Sequence, residues 1–142
     1  PTGYLSPGHA STPNTLDLVA EAGFVWWADP LNSDNPYVVE ARGRKVVVVP
    51  YNVPGCNDYS TYGTARTPRD LLQIMKDHFD YLYWEGEQGF PKFFAFNLHP
   101  FVSGIPYRAK IIEEFLRYAQ GHSKVWFAKR IEIANWWLEK GY

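Results

Sequence analysis

The sequence predicts an α/β fold with parallel strands joined by crossover helices. Three observations carry this. Three helical stretches open on proline and close on glycine; each is followed within a few residues by a short apolar or aromatic run; and those runs are near-continuous rather than alternating. Such runs are what strands buried on both faces look like, and a repeated helix, turn, strand order makes successive strands parallel.

The elements follow in order. An opening strand is expected at residues 3–5. Thr12-Pro13 starts the first helix, with Leu16, Val19 and Ala20 at helical spacing and Gly23 just past its end. Residues 24–28 form the strand after it. Residues 37–40 and 45–50 (KVVVVP), around the turn Arg42-Gly43-Arg44, read as a β-hairpin inserted in the α/β pattern. The second helix starts at Thr67-Pro68, shows one apolar face of Leu71, Leu72, Met75, Phe79, Leu82 and Tyr83, and ends before Gly86; residues 92–98 are its strand. The third starts at Pro106, carries Ile111, Ile112, Phe115, Leu116 and Ala119, stops at Gly121, and leads into a strand at 124–128. Residues 131–138 fit a closing helix that buries Ile133, Trp136 and Trp137. The stretch 52–66 has no period and reads either as a binding loop or as a solvated connection.

The chain has 142 residues, enough for one domain with a core. Fourteen basic against fifteen acidic side chains leave a net charge of −1, so the basic footprint of a nucleic-acid partner is lacking. No apolar run approaches the roughly 20 residues of a membrane helix. These features predict a soluble, cytoplasmic protein with neither nucleic acid nor membrane as partner. Cys56, the single cysteine, can form neither an internal disulfide nor a cysteine metal cluster. Aromatic residues make up 18% of the chain, more than a core this size needs, so some should line a groove. Trp26, Trp27, Tyr51 and Tyr59 are candidates for flattening a pocket against a planar ring, whereas Trp126 and Trp136, with Trp137, are expected in the core.

In parallel α/β folds, chemistry gathers beyond the carboxyl ends of the strands. Those ends carry Ser6, Pro7, Gly8 and His9, then Asp29 and Asn32, then His99, then Lys129 and Arg130. His99 is the best single candidate, because Asn-Leu-His-Pro sets an imidazole at a strand mouth, where it can donate or accept a proton near neutral pH. The alternative is a histidine satisfied by backbone. His78 and His122 fall in a helix and a turn, where structural or solvated roles are expected. A Walker loop, a dinucleotide fingerprint, zinc-ligand spacing and a nucleophile elbow are all missing. Cys56 acting as a nucleophile with His99 is the least favoured reading.

The segments GYLSPGHASTPNTLDLVAEAGFVWWADPLNSDNPY, VVVVPYNVPGCND and LHPFVSGIPYRAKIIEEFLRYAQGHSKVWFAKRIEIANWW resemble, in order, the C-terminal half of polysaccharide-deacetylase-like proteins. The nearest branch acts on small amides, ureides and cyclic imides, as the cofactor-independent allantoinases do. The resemblance implies a distorted (β/α) barrel of about seven strands, with residues 1–142 a single partial barrel domain. It implies a hydrolase of non-peptide carbon–nitrogen bonds, with an N-acetyl-sugar deacetylase or a non-catalytic half-domain as alternatives. His99 falls on the family's last motif and would be the catalytic general acid. Ser6, Gly8, His9, Trp27, Asn57 and Asp58 would be substrate-binding. Leu5 stands where the family usually has arginine, which fits the small-amide branch. The aspartate base, and the ligands of any divalent metal such as zinc, belong to the family's N-terminal half. Four or five strands cannot close a barrel without leaving a long apolar edge. The expected partners are therefore a second polypeptide completing the barrel, a small-molecule amide substrate, and further copies in a higher oligomer.

Overall fold

The computed structural model describes residues 1–51, 57–64 and 66–141, so Cys56 lies outside the described residues. The elements in chain order are β1 (Gly3–Tyr4), α1 (Thr15–Glu21), β2 (Trp26–Trp27), β3 (Tyr37–Ala41), β4 (Arg44–Val48), α2 (Pro68–Glu87), α3 (Pro100–Ser103), α4 (Pro106–Gln120) and α5 (Arg130–Lys140). Among the described residues there are also two 3₁₀ turns, Pro7–His9 and Asp58–Thr61. The chain divides into two compact units, one of Pro1–Tyr51 with Phe127–Tyr142 and one of Asn52–Trp126.

The first unit holds a four-stranded sheet in the order β1-β2-β4-β3. β1, β2 and β4 run parallel, while β3 joins β4 antiparallel, so the sheet is mixed. Arg42 and Gly43, at φ 52° and 69°, both take the left-handed conformation that a two-residue hairpin turn demands. Arg42 lacks glycine's freedom, and its guanidinium is held by Asp17 at 2.8 Å and Glu21 at 3.3 Å on α1. Val46, Val47, Val48 and Val49 are all fully buried, so β4 is covered on both faces. Val46 packs with Val19 and Ala20 of α1. Gly3 faces Trp26 across the β1–β2 pair, where a Cβ would stand 1.9 Å from the indole.

The second unit is built on α2 against α4, through Leu71, Leu72, Met75, Phe79, Ile111, Phe115 and Ala119. Thr67 and Asp70 form a reciprocal capping box at the start of α2. Phe79 sets its ring edge-on to Phe94, Phe115 and Tyr118. His78 lies 5.4 Å from the Phe94 ring, and His122 packs on Phe79 and Tyr83.

Several expectations need correction. The first helix starts at Thr15, after a turn that joins the Thr12 and Thr15 hydroxyls, and α2 runs through Gly86. Residues 92–98 and 124–128 are not ladder strands. A strand needs a neighbour to pair with, and among the described residues only the Asn57–Asn97 bridge supplies one. Lys124 also has φ 60°, which breaks an extended start. Trp126 and Trp136 are 59% and 41% exposed rather than core. Among the described residues, no helix is long and apolar enough to cross a membrane.

Candidate active site

His99 is the N-cap of α3, a single turn whose first residue, Pro100, has no N–H to leave unpaired. The turn closes tightly: Gly104 N–H donates to the Pro100 carbonyl at 2.9 Å, and a Cβ on Gly104 would lie 2.4 Å from that oxygen. Asp58 opens the other 3₁₀ turn. Asn57 caps that turn, its Oδ1 accepting from Ser60 N–H at 3.1 Å, and Asp58 N–H donates to the Asn97 carbonyl at 3.2 Å.

These two turns meet through one carboxylate. Asp58 is fully buried. Its Oδ1 lies 2.7 Å from His99 Nδ1, and its Oδ2 accepts from both His99 N–H and the Ser103 hydroxyl, each at 2.7 Å. A carboxylate accepts, so Nδ1 carries the proton and Nε2 is left as the working atom of the ring. The His99 side chain is 36% exposed, so the pair is a buried acid behind an accessible imidazole. Aspartate, histidine and serine are the residue types of a nucleophilic triad, but the order is wrong: the hydroxyl bonds the carboxylate and not the imidazole, so no base activates it.

Aromatic rings flank the imidazole. Tyr59 and Phe101 lie 5.4 and 5.6 Å from its centroid, and Tyr62 packs on both at 5.4 and 6.0 Å. Tyr59, Tyr62 and Phe101 are exposed. Behind them Arg108, itself buried, donates to Thr61 Oγ1 at 3.2 Å and to the Thr61 carbonyl at 3.1 Å. A depression of about 460 Å³, almost wholly apolar, opens beside His99 between Leu98, Pro100, Ile112 and Leu116.

The other predicted residues lie in the first unit. Ser6 N–H donates to Asp29 Oδ1 at 2.6 Å and its hydroxyl to Asp29 Oδ2, so both donors of this buried serine are spent within the fold. Gly8 and His9 are both left-handed, at φ 63° and 57°. The His9 ring stands edge-on to Tyr51 at 4.1 Å, and its buried Nδ1 has no hydrogen-bond partner among the described residues. Trp27 packs against the α1–β4 core, and its indole N–H is likewise buried without a partner among the described residues. Arg130 reaches the end of β4, donating to the Val49 and Pro50 carbonyls at 2.9 and 3.3 Å, with its guanidinium 5.6 Å from the Trp26 ring. Burial pulls its pKa below the usual value, opposed by the nearby Tyr51. Asn32 accepts from the Tyr37 hydroxyl at 2.8 Å.

No family model matches the chain. A probable polysaccharide deacetylase from Pseudomonas aeruginosa PAO1 superposes with a TM-score of 0.87 at 34% identity, over 99% of this chain and 47% of that one. The structure of Puue Allantoinase superposes with a TM-score of 0.86 at 33% identity, over 98% and 46%. A curated Schizosaccharomyces pombe protein described as "Putative polysaccharide deacetylase" is 32% identical over 117 residues, 81% of this chain and 35% of that protein. The chain has the polysaccharide deacetylase-like fold. It spans about half the length of these solved relatives and about a third of the curated one.

The resemblance to polysaccharide deacetylases admits a divalent metal, and the donor set among the described residues does not suit one. Among the described residues, no three His, Cys, Asp or Glu side chains gather, and His99 Nδ1 is committed to Asp58. Sequence reasoning placed Asp58 beside the substrate, whereas its carboxylate is turned away from solvent behind His99. It missed Ser103 and Arg108. The spacing His-x-x-x-Ser, one helical turn, was the available signal for the first; the second, an arginine in the first turn of α4, gave none.

Proposed function

We propose that this chain is the C-terminal half of a hydrolase of non-peptide carbon–nitrogen bonds whose substrate is a small amide, ureide or cyclic imide, and that His99 is its general acid. The observation that carries the reading is the Asp58–His99 pair, a fully buried carboxylate 2.7 Å from Nδ1 of an accessible imidazole. Water, deprotonated by a carboxylate from the rest of the barrel, adds to the carbonyl carbon. The carbon–nitrogen bond of the tetrahedral intermediate then breaks as His99 Nε2 gives its proton to the leaving nitrogen. The acid is the imidazolium form of His99, whose Nδ1–H stays on Asp58; giving up the Nε2 proton leaves the neutral ring, and the proton that the base took from water returns to Nε2 through solvent before the next turnover. Supporting the substrate class, the rings beside His99 offer a flat, uncharged surface, and one similar structure is an allantoinase.

The same reading makes the four described strands part of a barrel of about seven. A second polypeptide, or the remainder of this one, completes it and supplies the base, and further copies assemble on the finished barrel. A second reading, deacetylation of N-acetyl sugars, is supported by the descriptions of two similar proteins as polysaccharide deacetylases. The test is to assay the full natural chain on cyclic imides, ureides and N-acetylglucosamine oligomers. Turnover of the first two classes is expected. Turnover of the oligomers alone would favour the second reading, and turnover of none would sink both.

A further inference from the structure

We infer that Ser103 is a positioning residue, acting on His99 through Asp58; the inference rests on the general-acid reading above. Asp58 carries one acceptor for the imidazole and one for everything else. Oδ1 takes His99 Nδ1, while Oδ2 takes the His99 N–H and the Ser103 hydroxyl, all at 2.7 Å. A carboxylate turns about its Cβ–Cγ bond, and each degree of turn moves both oxygens. Two donors converging on Oδ2 fix that angle and so fix Oδ1 against the imidazole. The convergence is a product of α3: Ser103 N–H donates to the His99 carbonyl at 2.9 Å, which folds residue 103 back over residue 99 so that both face Asp58. Ser103 is buried, and in Asp58 its hydroxyl has a charged acceptor, the stronger kind of hydrogen bond. Three further contacts hold the Asp58 turn itself: Asp58 N–H on Asn97, the Thr61 hydroxyl on the Asp58 carbonyl at 3.3 Å, and Arg108 on Thr61. None of these touches the carboxylate. Its rotation is therefore set by His99 and Ser103 alone among the described residues.

The test uses the full natural chain. In Ser103→Ala, kcat falls about tenfold or more while KM stays within about twofold, because a group that touches no substrate changes the acid and not the binding. The downfield His99 Nδ1 proton resonance, sharp in the wild type, broadens or disappears. Ser103→Thr keeps the hydroxyl and restores both. An unchanged kcat with an unchanged resonance would overturn the inference, and so would a loss of activity that Ser103→Thr does not relieve. If Ser103→Ala fails to fold, the wild type decides: a slowly exchanging Ser103 hydroxyl proton close to the His99 amide proton is expected, and a freely exchanging one contradicts the role. The His99 resonance is read without substrate, whereas the general-acid reading is judged by turnover of His99→Ala, so the two can fail separately.

Discussion

The buried carboxylate of Asp58 grips His99 at two points, the ring Nδ1 and the backbone N–H, each at 2.7 Å and across 41 residues of sequence. One acid thus sets both the tautomer of the imidazole and the place of the backbone that carries it. The pairing couples the first residue of a 3₁₀ turn to the N-cap of a one-turn helix.

Asp58→Asn keeps the size and breaks the pattern. All three partners present donors, and an amide nitrogen turned toward any of them gives a donor against a donor. We expect kcat to fall about a hundredfold or more and stability to fall by about 1–3 kcal/mol. Steady-state kinetics and chemical denaturation measure the two.

Gly3→Ala places a methyl where the Trp26 indole sits, 1.9 Å from the ring by ideal geometry. The indole must move, and with it the surface over which Arg130 lies. The expected result is a loss of about 1–3 kcal/mol with a changed tryptophan emission. Gly43→Ala, in the hairpin turn, meets no atom within 4 Å, so its cost is the left-handed backbone alone and the emission stays as it was.

Phe79 of α2 packs edge-on against Phe115 and Tyr118 of α4, with Tyr83, Phe94 and His122 also against its ring. Phe79→Ala should cost about 3–5 kcal/mol. Exposed Leu31→Ala should stay within about 0.5 kcal/mol of wild type. Urea midpoints at constant slope compare them.

The Tyr118 hydroxyl donates to Asp80 at 2.6 Å, which raises its pKa above the ordinary 10.0, first through that hydrogen bond and then through burial and the charges of Asp80 and Asp77. The folded state therefore holds the proton more tightly than the unfolded chain. Its contribution to stability is fully present below pH 10.0 and is lost as pH rises through the higher folded value. Unfolding curves should show wild type above Tyr118→Phe at neutral pH, with the gap closing in strong alkali.

Much of the frame was legible because it is local. The proline starts of α2 and α4, the glycine that caps α4 and the apolar face from Leu71 to Phe79 all follow from helix punctuation and helical spacing. His99 was singled out as the residue closing an expected strand at 92–98, and the structure places it instead as the N-cap of α3. Its pairing with Asp58 was not legible, because a bond across 41 residues leaves no periodic trace, and Asp58 lay in a stretch without pattern. The aromatic segments 92–98 and 124–128 misled for a related reason: apolar content marks burial or contact, and a ladder needs a neighbour that the residues themselves do not name. Trp126 and Trp136, exposed, make the same point.

Proton delivery by His99 to the leaving nitrogen must show in how the rate depends on that leaving group. In the full natural chain, wild type and His99→Ala are compared on amides of one acyl group with nitrogen leaving groups from a poor alkylamine to a good nitroaniline. The predicted loss in kcat is about 10²–10⁴ for the alkylamine and shrinks steadily toward the nitroaniline, which leaves without help. An equal loss across the series, or no loss at all, would contradict the assignment of His99 as the general acid.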